Sequence, residues 1–168
     1  VLEFGCGTGS TAIKHARHVA EIHATDISAE MIAIARDKAR QEGLDNIRFD
    51  VSDVDGLKAP TESYDMVLML NLIHLLRNRE AALQKAWQLL KPGGYFISST
   101  ACLSDKMGFL RFVIPVMQLI GKAPYVNYLK ADQVRREIEG AGFEAEDHWT
   151  HGQVNALFMI ARKPATPS

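Results

Sequence analysis

Val1-Leu2-Glu3-Phe4-Gly5-Cys6-Gly7-Thr8-Gly9 decides how the rest of the chain is read. A short apolar run breaks into three glycines at alternate positions, and Thr11 to His18 then reads as a helix, with Ile13 and Ala16 among polar neighbours. A strand that ends in glycines and leads into a helix lets backbone N–H groups come close to a ligand. The spacing is Gly5-x-Gly7-x-Gly9, not the G-x-G-x-x-G that seats a pyrophosphate on a helix N-terminus. Glu3 stands just ahead of the glycines. A carboxylate there suits a ligand carrying an ammonium group and would repel a pyrophosphate.

Outward from this loop the chain alternates strand and helix. Glu21 to Thr25 reads as a second strand, and Ser28 as the N-cap of a helix to about Gln41, with Met31, Ile32, Ala35 and Ala39 at helical spacing. Gly43 is its stop signal. Asn46 to Val51 is a third strand. Tyr64 to Asn71 is a fourth, whose Met66-Val67-Leu68-Met69-Leu70 is apolar on both faces, as in a parallel strand covered from both sides. Arg79 to Leu90 is a helix with Leu83, Ala86, Trp87 and Leu90 in one stripe; Pro92-Gly93-Gly94 ends it before a fifth strand, Tyr95 to Thr100. Asp132 to Ala141 is a helix closed by Gly142, and the tail offers strands at Phe143 to Trp149 and Asn155 to Arg162.

This alternation implies an α/β fold with a doubly wound, mostly parallel sheet in one domain over 1–168. Residues 103–127 form an apolar insert before the last helix. The abrupt start at Val1, inside a core strand, implies that upstream residues are missing.

Composition narrows the partners. Of 168 residues, 47% are hydrophobic and 23% charged, and 19 basic against 20 acidic side chains give a net charge of −1. Such a balance lacks the basic footprint of a nucleic-acid binder, so no nucleic-acid partner is expected. Cys6 and Cys102 form neither a CxxC pair nor a zinc spacing. No metal site is expected, and two thiols in a chain with no secretory leader point to a reducing, cytoplasmic setting.

Two acids follow the glycine loop in order. Asp26, at the carboxyl end of the second strand, is placed to accept both hydroxyl protons of a ribose. Asp53, past the third strand, can accept from an exocyclic adenine amine. Each feature has a plainer reading: a tight turn for the glycines, a helix N-terminal acid for Asp26 beside Ser28, a solvated loop acid for Asp53. Their joint order and common place at strand carboxyl ends favour a ligand, because ligands of open α/β sheets bind there.

At this point the chain resembles the class I S-adenosylmethionine-dependent methyltransferases. Val1 to Gly9 looks like the family's first motif, and Ala24-Thr25-Asp26-Ile27-Ser28-Ala29-Glu30-Met31 like its second. Phe49 to Leu57 is similar to the third, and Tyr64-Asp65-Met66-Val67 leading to Asn71-Leu72-Ile73-His74 to the fourth strand and its turn. Leu90-Lys91-Pro92-Gly93-Gly94-Tyr95 and Gly140-Ala141-Gly142-Phe143 resemble two later family turns. The match covers roughly 1–100 and 128–162. It implies a seven-stranded Rossmann-like sheet with the last strand antiparallel, and S-adenosyl-L-methionine as cofactor. It also implies that Glu3, Gly5, Gly7 and Gly9 serve the amino-acid end of that cofactor, Asp26 the ribose, Ile27 and Met31 the adenine faces, Asp53 and the Val54 amide the adenine edge, and Asn71 the neighbourhood of the methyl group. The family usually carries a helical segment ahead of the first strand, and its absence here bears on substrate recognition.

The implied reaction is in-line attack by an acceptor on the cofactor methyl group, in which alignment and exclusion of water supply most of the acceleration. Asn71 and His74 are the catalytic candidates; a base is needed only if the nucleophile stays protonated. The plainer reading of His74 is a histidine packing at a helix start. As a lid over a small, partly apolar acceptor, the insert offers Phe112, Met117 and Tyr125 as candidate contacts, with Tyr128 just past it. The run Phe109 to Ile120 is too short to span a bilayer, so no stable membrane insertion is expected. A dimer surface, an interfacial membrane contact and a core helix remain open for it. Rival functions are a non-catalytic cofactor-binding domain that uses the insert to hold a partner, a nicotinamide dehydrogenase, and a nucleic-acid or protein methyltransferase. The glycine spacing and Glu3 oppose the dehydrogenase, and Asn71-Leu72-Ile73-His74 lacks the Asn-Pro-Pro-Tyr turn of amino-directed nucleic-acid enzymes.

Overall fold

Residues 1–102, 127, 129–151 and 156–165 are described by the computed structural model. In chain order the described elements are β1 (Leu2–Phe4), α1 (Ser10–Ala16), β2 (Ile22–Asp26), α2 (Ala29–Gln41), β3 (Ile47–Val51), β4 (Tyr64–Leu70), a 3₁₀ turn (Ile73–Leu75), α3 (Arg79–Leu89), β5 (Leu90–Thr100), α4 (Ala131–Gly140), β6 (Glu144–His151) and β7 (Ala156–Arg162). The strands form one seven-stranded sheet in the order β3-β2-β1-β4-β5-β7-β6. Pairs β1–β2, β1–β4, β2–β3 and β4–β5 are parallel, and β7 runs antiparallel to both β5 and β6. The expected doubly wound sheet with a reversed last strand is therefore what forms.

Local chemistry explains where the helices begin and end. The Ser28 hydroxyl accepts the Met31 N–H at 3.2 Å and the Asn78 side chain accepts the Ala81 N–H at 3.1 Å, so both longer helices of the first 90 residues carry polar N-caps. Gly43, with φ +65°, turns the chain out of α2. At the end of α1, the Asn46 amide donates to the carbonyls of Ala16 and Val19 at 2.7 and 3.1 Å, satisfying acceptors the short helix leaves open.

The structure corrects three boundaries. The first helix ends at Ala16 and not His18. β6 runs from Glu144 to His151, one residue late at its start and two at its end. The largest difference is at Pro92-Gly93-Gly94, expected as a turn but lying within β5, which starts at Leu90 directly after α3. Leu90 pairs with Tyr64 and Tyr95 with Met66, so the intervening residues bulge from the β4 ladder. They remain part of the sheet, with Gly93 at φ +78°, because Gly93 N–H donates to Lys163 O and Lys163 N–H to Gly94 O, each at 2.9 Å.

Strand alternation divides the core. Leu2, Phe4, Val67, Met69, Phe96, Met159 and Ala161 share one buried cluster with Leu83 and Ala86 of α3 and Val134 and Ile138 of α4. Ile22, Ala24 and Phe49 share another with Ala12 and Ala16 of α1 and Ile32, Ala35 and Ala39 of α2. Each large side chain buried this way contributes about 1.5–3 kcal/mol. Helices α1 and α2 pack on β2 and β3, while α3 packs on β4 and β5 and α4 on β6 and β7. The edge left for a ligand is the one where Phe4, Asp26, Val51 and Leu70 end their strands.

Candidate functional site

The glycine loop leaves β1 with Gly5, Gly7 and Gly9 at φ +69°, +53° and +73°. Cys6 N–H extends the β1–β2 ladder to Thr25 O at 2.9 Å, and Gly9 N–H closes the loop on Cys6 O at 2.9 Å. The glycines do different work. A Cβ on Gly9 would lie 2.8 Å from the Ala35 Cβ and 3.1 Å from the Phe49 ring, whereas one on Gly7 would meet nothing within 4 Å. Gly9 lets α1 pack on α2 and β3; Gly7 leaves open space above the backbone, as a ligand needs.

Asp26 ends β2 and turns both carboxylate oxygens to backbone amides. Its Oδ2 accepts the Gly7 N–H at 2.9 Å and its Oδ1 the Ser28 N–H at 2.9 Å. One side chain thus braces the loop and the entry to α2, and each oxygen retains a second acceptor direction.

A cleft of about 260 Å³ opens at these strand ends. Among the residues expected from sequence, it brings together Gly5, Asp26, Ile27, Asp53, Val54 and Asn71. Ile27 is 76% exposed on one lip. Asp53 lies in an exposed loop, where its Oδ1 accepts the Gly56 N–H at 2.6 Å, and Val54 is buried beneath it. Asn71 takes a left-handed backbone, φ +57°, and its N–H donates to Ser99 O at 2.7 Å, turning the chain across the edge of the sheet.

Glu3, Gly7, Gly9, Met31 and His74 do not line this cleft. Glu3 is 2% exposed, its Oε2 has no hydrogen-bond partner among the described residues, and burial pushes its carboxyl up to about 7. It is near the loop nonetheless: burial, then the charges of Glu3 and Asp26, push the Cys6 thiol up to about 12. Met31 is 39% exposed one turn into α2. His74 lies in the 3₁₀ turn after β4, half-buried, with Nδ1 unpartnered among the described residues and its imidazole held below the ordinary range by burial. Phe112, Met117, Tyr125 and Tyr128 lie outside the described residues.

Sequence reasoning missed the apolar wall. Leu72, Leu75 and Leu76, on and around the 3₁₀ turn, line the cleft together with Ile27 and Val54, and Leu75 is 38% exposed. The signal was present in Leu72-Ile73-His74-Leu75-Leu76, an apolar run with its histidine in the middle. Among the described residues no group of His, Cys, Asp or Glu is arranged to hold a metal ion, and no helix is long and apolar enough to cross a membrane.

Residues 1–94 match a family described as a methyltransferase domain. The chain is 24% identical over 152 residues to a ubiquinone biosynthesis O-methyltransferase of Coxiella burnetii, covering 88% of this chain and 64% of that protein. It spans between 38% and 64% of the length of the first curated relatives it matches. Among solved structures, a SAM-dependent methyltransferase of Methanosarcina mazei superposes with a TM-score of 0.82 at 17% identity, over 98% of this chain and 92% of that one. The [4+2]-cyclase SpnF superposes with a TM-score of 0.81 at 21% identity, over 98% and 75%. Likeness at these identities is likeness of fold, and one fold carries more than one chemistry.

Proposed function

The chain belongs to the methyltransferase-domain family, and from that premise we propose that it moves a methyl group from S-adenosyl-L-methionine to a small, partly apolar acceptor. The observation that carries this reading is Asp26, which lines the cleft at the strand ends and braces the glycine loop at Gly7, with the buried Glu3, its Oε2 unpartnered among the described residues, just ahead of that loop. Such a donor set fits an amino-acid-bearing nucleoside. The ammonium matches Glu3, and an amide-rich loop with no basic side chain among the described residues of the cleft lining does not call for a pyrophosphate.

In this reading the spare lone pairs of Asp26 accept the ribose hydroxyls, and Asp53 with the Val54 amide reads the adenine edge. Ile27 and Met31 flank adenine, and Gly5, Gly7 and Gly9 let the backbone approach the amino-acid end. When bound, the cofactor supplies an activated methyl group on its sulfonium. The chain's part is alignment and exclusion of water, worth several orders of magnitude in rate. Asn71, which lines the cleft, is the candidate polar contact for the reacting groups. His74 is held neutral near pH 7 and serves as proton acceptor where the nucleophile is a hydroxyl. The wall of Leu72, Leu75 and Leu76, together with the apolar composition of 103–127 with its Phe112, Met117 and Tyr125, and Tyr128 just past it, supports an acceptor with an apolar part. The near-neutral charge and two buried cysteine side chains outside any disulfide fit a cytoplasmic enzyme.

The test is calorimetry with S-adenosylmethionine, S-adenosylhomocysteine and NAD, followed by transfer of labelled methyl to a panel of phenols, carboxylates and amines. Binding of the first two alone, with label in at least one acceptor, is expected. Binding of NAD alone removes the reading, and tight cofactor binding without transfer to any acceptor supports a binding domain in its place.

A further inference from the structure

Asn127 is distant in sequence from the 3₁₀ turn after β4 and hydrogen-bonds to it twice over. Its backbone N–H donates to His74 O at 2.8 Å. Its side-chain amide donates to Leu76 O at 2.7 Å and to His74 O at 3.2 Å. Within the turn, Leu75 N–H bonds Leu72 O and Leu76 N–H bonds Ile73 O. These local bonds use the carbonyls of Leu72 and Ile73 and leave those of His74 and Leu76 to be satisfied from elsewhere. A single planar amide, with two N–H groups diverging from one nitrogen, can serve both.

The turn so held is one wall of the cleft. Leu72, Leu75 and Leu76 line it, and Leu72 packs so close that a Cβ on Gly5 would lie 3.0 Å from its Cδ1. Nothing in that arrangement is slack: a small rotation of the turn would move leucine side chains into or away from the glycine loop. The same rotation would re-aim the His74 ring, which no described hydrogen bond through Nδ1 restrains.

We propose that Asn127 is a positioning residue. By bridging the His74 and Leu76 carbonyls it fixes the leucine wall against the cofactor cleft and sets the direction of the His74 imidazole. This rests on the cofactor reading above for its functional meaning, but the bridge itself does not depend on it. The amide is required because both targets are acceptors. A carboxylate of the same shape offers them no N–H and places negative charge against two carbonyl oxygens.

The experiment compares the wild type with Asn127→Asp, Asn127→Ala and Asn127→Gln in the whole chain. Three readouts are taken: melting temperature, affinity for S-adenosylhomocysteine, and the titration of the His74 ring followed by NMR. Asn127→Asp is expected to weaken S-adenosylhomocysteine binding about tenfold or more and to move the His74 titration toward that of an exposed histidine. Asn127→Ala keeps the backbone N–H bond to His74 O and should give a smaller effect of the same sign. Asn127→Gln restores an amide and should recover part of both signals. If Asn127→Asp does not fold, Asn127→Ala decides alone. Folded Asp and Ala variants with unchanged affinity and unchanged His74 titration overturn the proposal, as does a loss of melting temperature with both signals intact. A wild type that binds no S-adenosylhomocysteine overturns the cofactor reading instead, and the His74 titration still judges Asn127.

Discussion

Asp26 reaches back across nineteen positions of sequence to hold Gly7, whose N–H it accepts at 2.9 Å on Oδ2, while Oδ1 accepts the Ser28 N–H at the same distance. The acid that sequence reasoning assigns to a ribose is thus also the brace of the glycine loop. The two roles make different demands. Asparagine keeps one oxygen for one amide but turns an NH₂ toward the other N–H. Asp26→Asn should therefore lower the melting temperature by several degrees and weaken S-adenosylmethionine binding about 100-fold, since hydrogen bonds to a charged group contribute about 1.5–3 kcal/mol each. Calorimetry beside thermal melts separates the roles. A lower melting temperature with wild-type affinity would leave Asp26 as a brace and nothing more.

Glu3 gives stability an unusual pH dependence. Its carboxyl is raised from an ordinary 4.5 to about 7 by burial, so the folded chain holds a proton that the unfolded chain has released between those values. Folding is then favoured on the acid side, and this contribution falls as pH rises from about 4.5 to about 7, by about 3 kcal/mol in all. Glu3→Gln should abolish the dependence and raise the melting temperature of the cofactor-free protein above about pH 7. The same variant should bind S-adenosylmethionine more weakly, because the amide no longer meets the ammonium with a charge. In the wild type, affinity should decline as pH falls below about 7, where Glu3 is protonated. A flat affinity profile across that range, in wild type and variant alike, would sever Glu3 from the cofactor.

Gly7 and Gly9 share a backbone conformation and differ in their surroundings. Alanine at either one meets the left-handed penalty of roughly 1–2 kcal/mol. At Gly9 the new methyl group would also press on Ala35 and Phe49 at 2.8 and 3.1 Å, which adds roughly 1–3 kcal/mol of overpacking. Gly9→Ala should therefore lose about 3 kcal/mol in denaturant unfolding and Gly7→Ala about 1 kcal/mol, with the loss of cofactor affinity in the reverse order. Equal destabilisation of the two variants would contradict the packing described.

How much of this was legible in the sequence depended on whether a signal was local. Ser28 and Asn78 announce their helices because a cap is a contact within three residues, and the apolar run of β4 announces a covered sheet because both its faces are apolar. The start of β5 was not legible. Pro92-Gly93-Gly94 is turn chemistry by composition, and bonds from Arg162 and Lys163, some seventy positions on, hold it in the sheet. At the site, the acids and glycines were readable as residue types placed at strand ends. That Gly9 serves packing, that Asp26 holds the loop and that Leu72, Leu75 and Leu76 wall the cleft all depend on contacts between elements distant in sequence.

Ile27 and Leu75 both form lips of the cleft, 76% and 38% exposed, large apolar side chains left exposed among the described residues. An exposed side chain contributes little to stability, so Ile27→Ser should change the unfolding free energy by no more than about 0.5 kcal/mol. If adenine lies between the two lips, covering Ile27 contributes about 1.5–3 kcal/mol to binding, and the variant should weaken S-adenosylhomocysteine binding by about tenfold or more. Leu75→Ala should act in the same direction. Two walls that grip one ring are coupled through it, because a ring released on one side shifts on the other. The double variant should therefore lose less affinity than the two single losses added together, with a coupling of about 0.5 kcal/mol or more. Strict additivity would mean that the lips touch different parts of the ligand. Wild-type affinity in both single variants would move the adenine out of this cleft altogether.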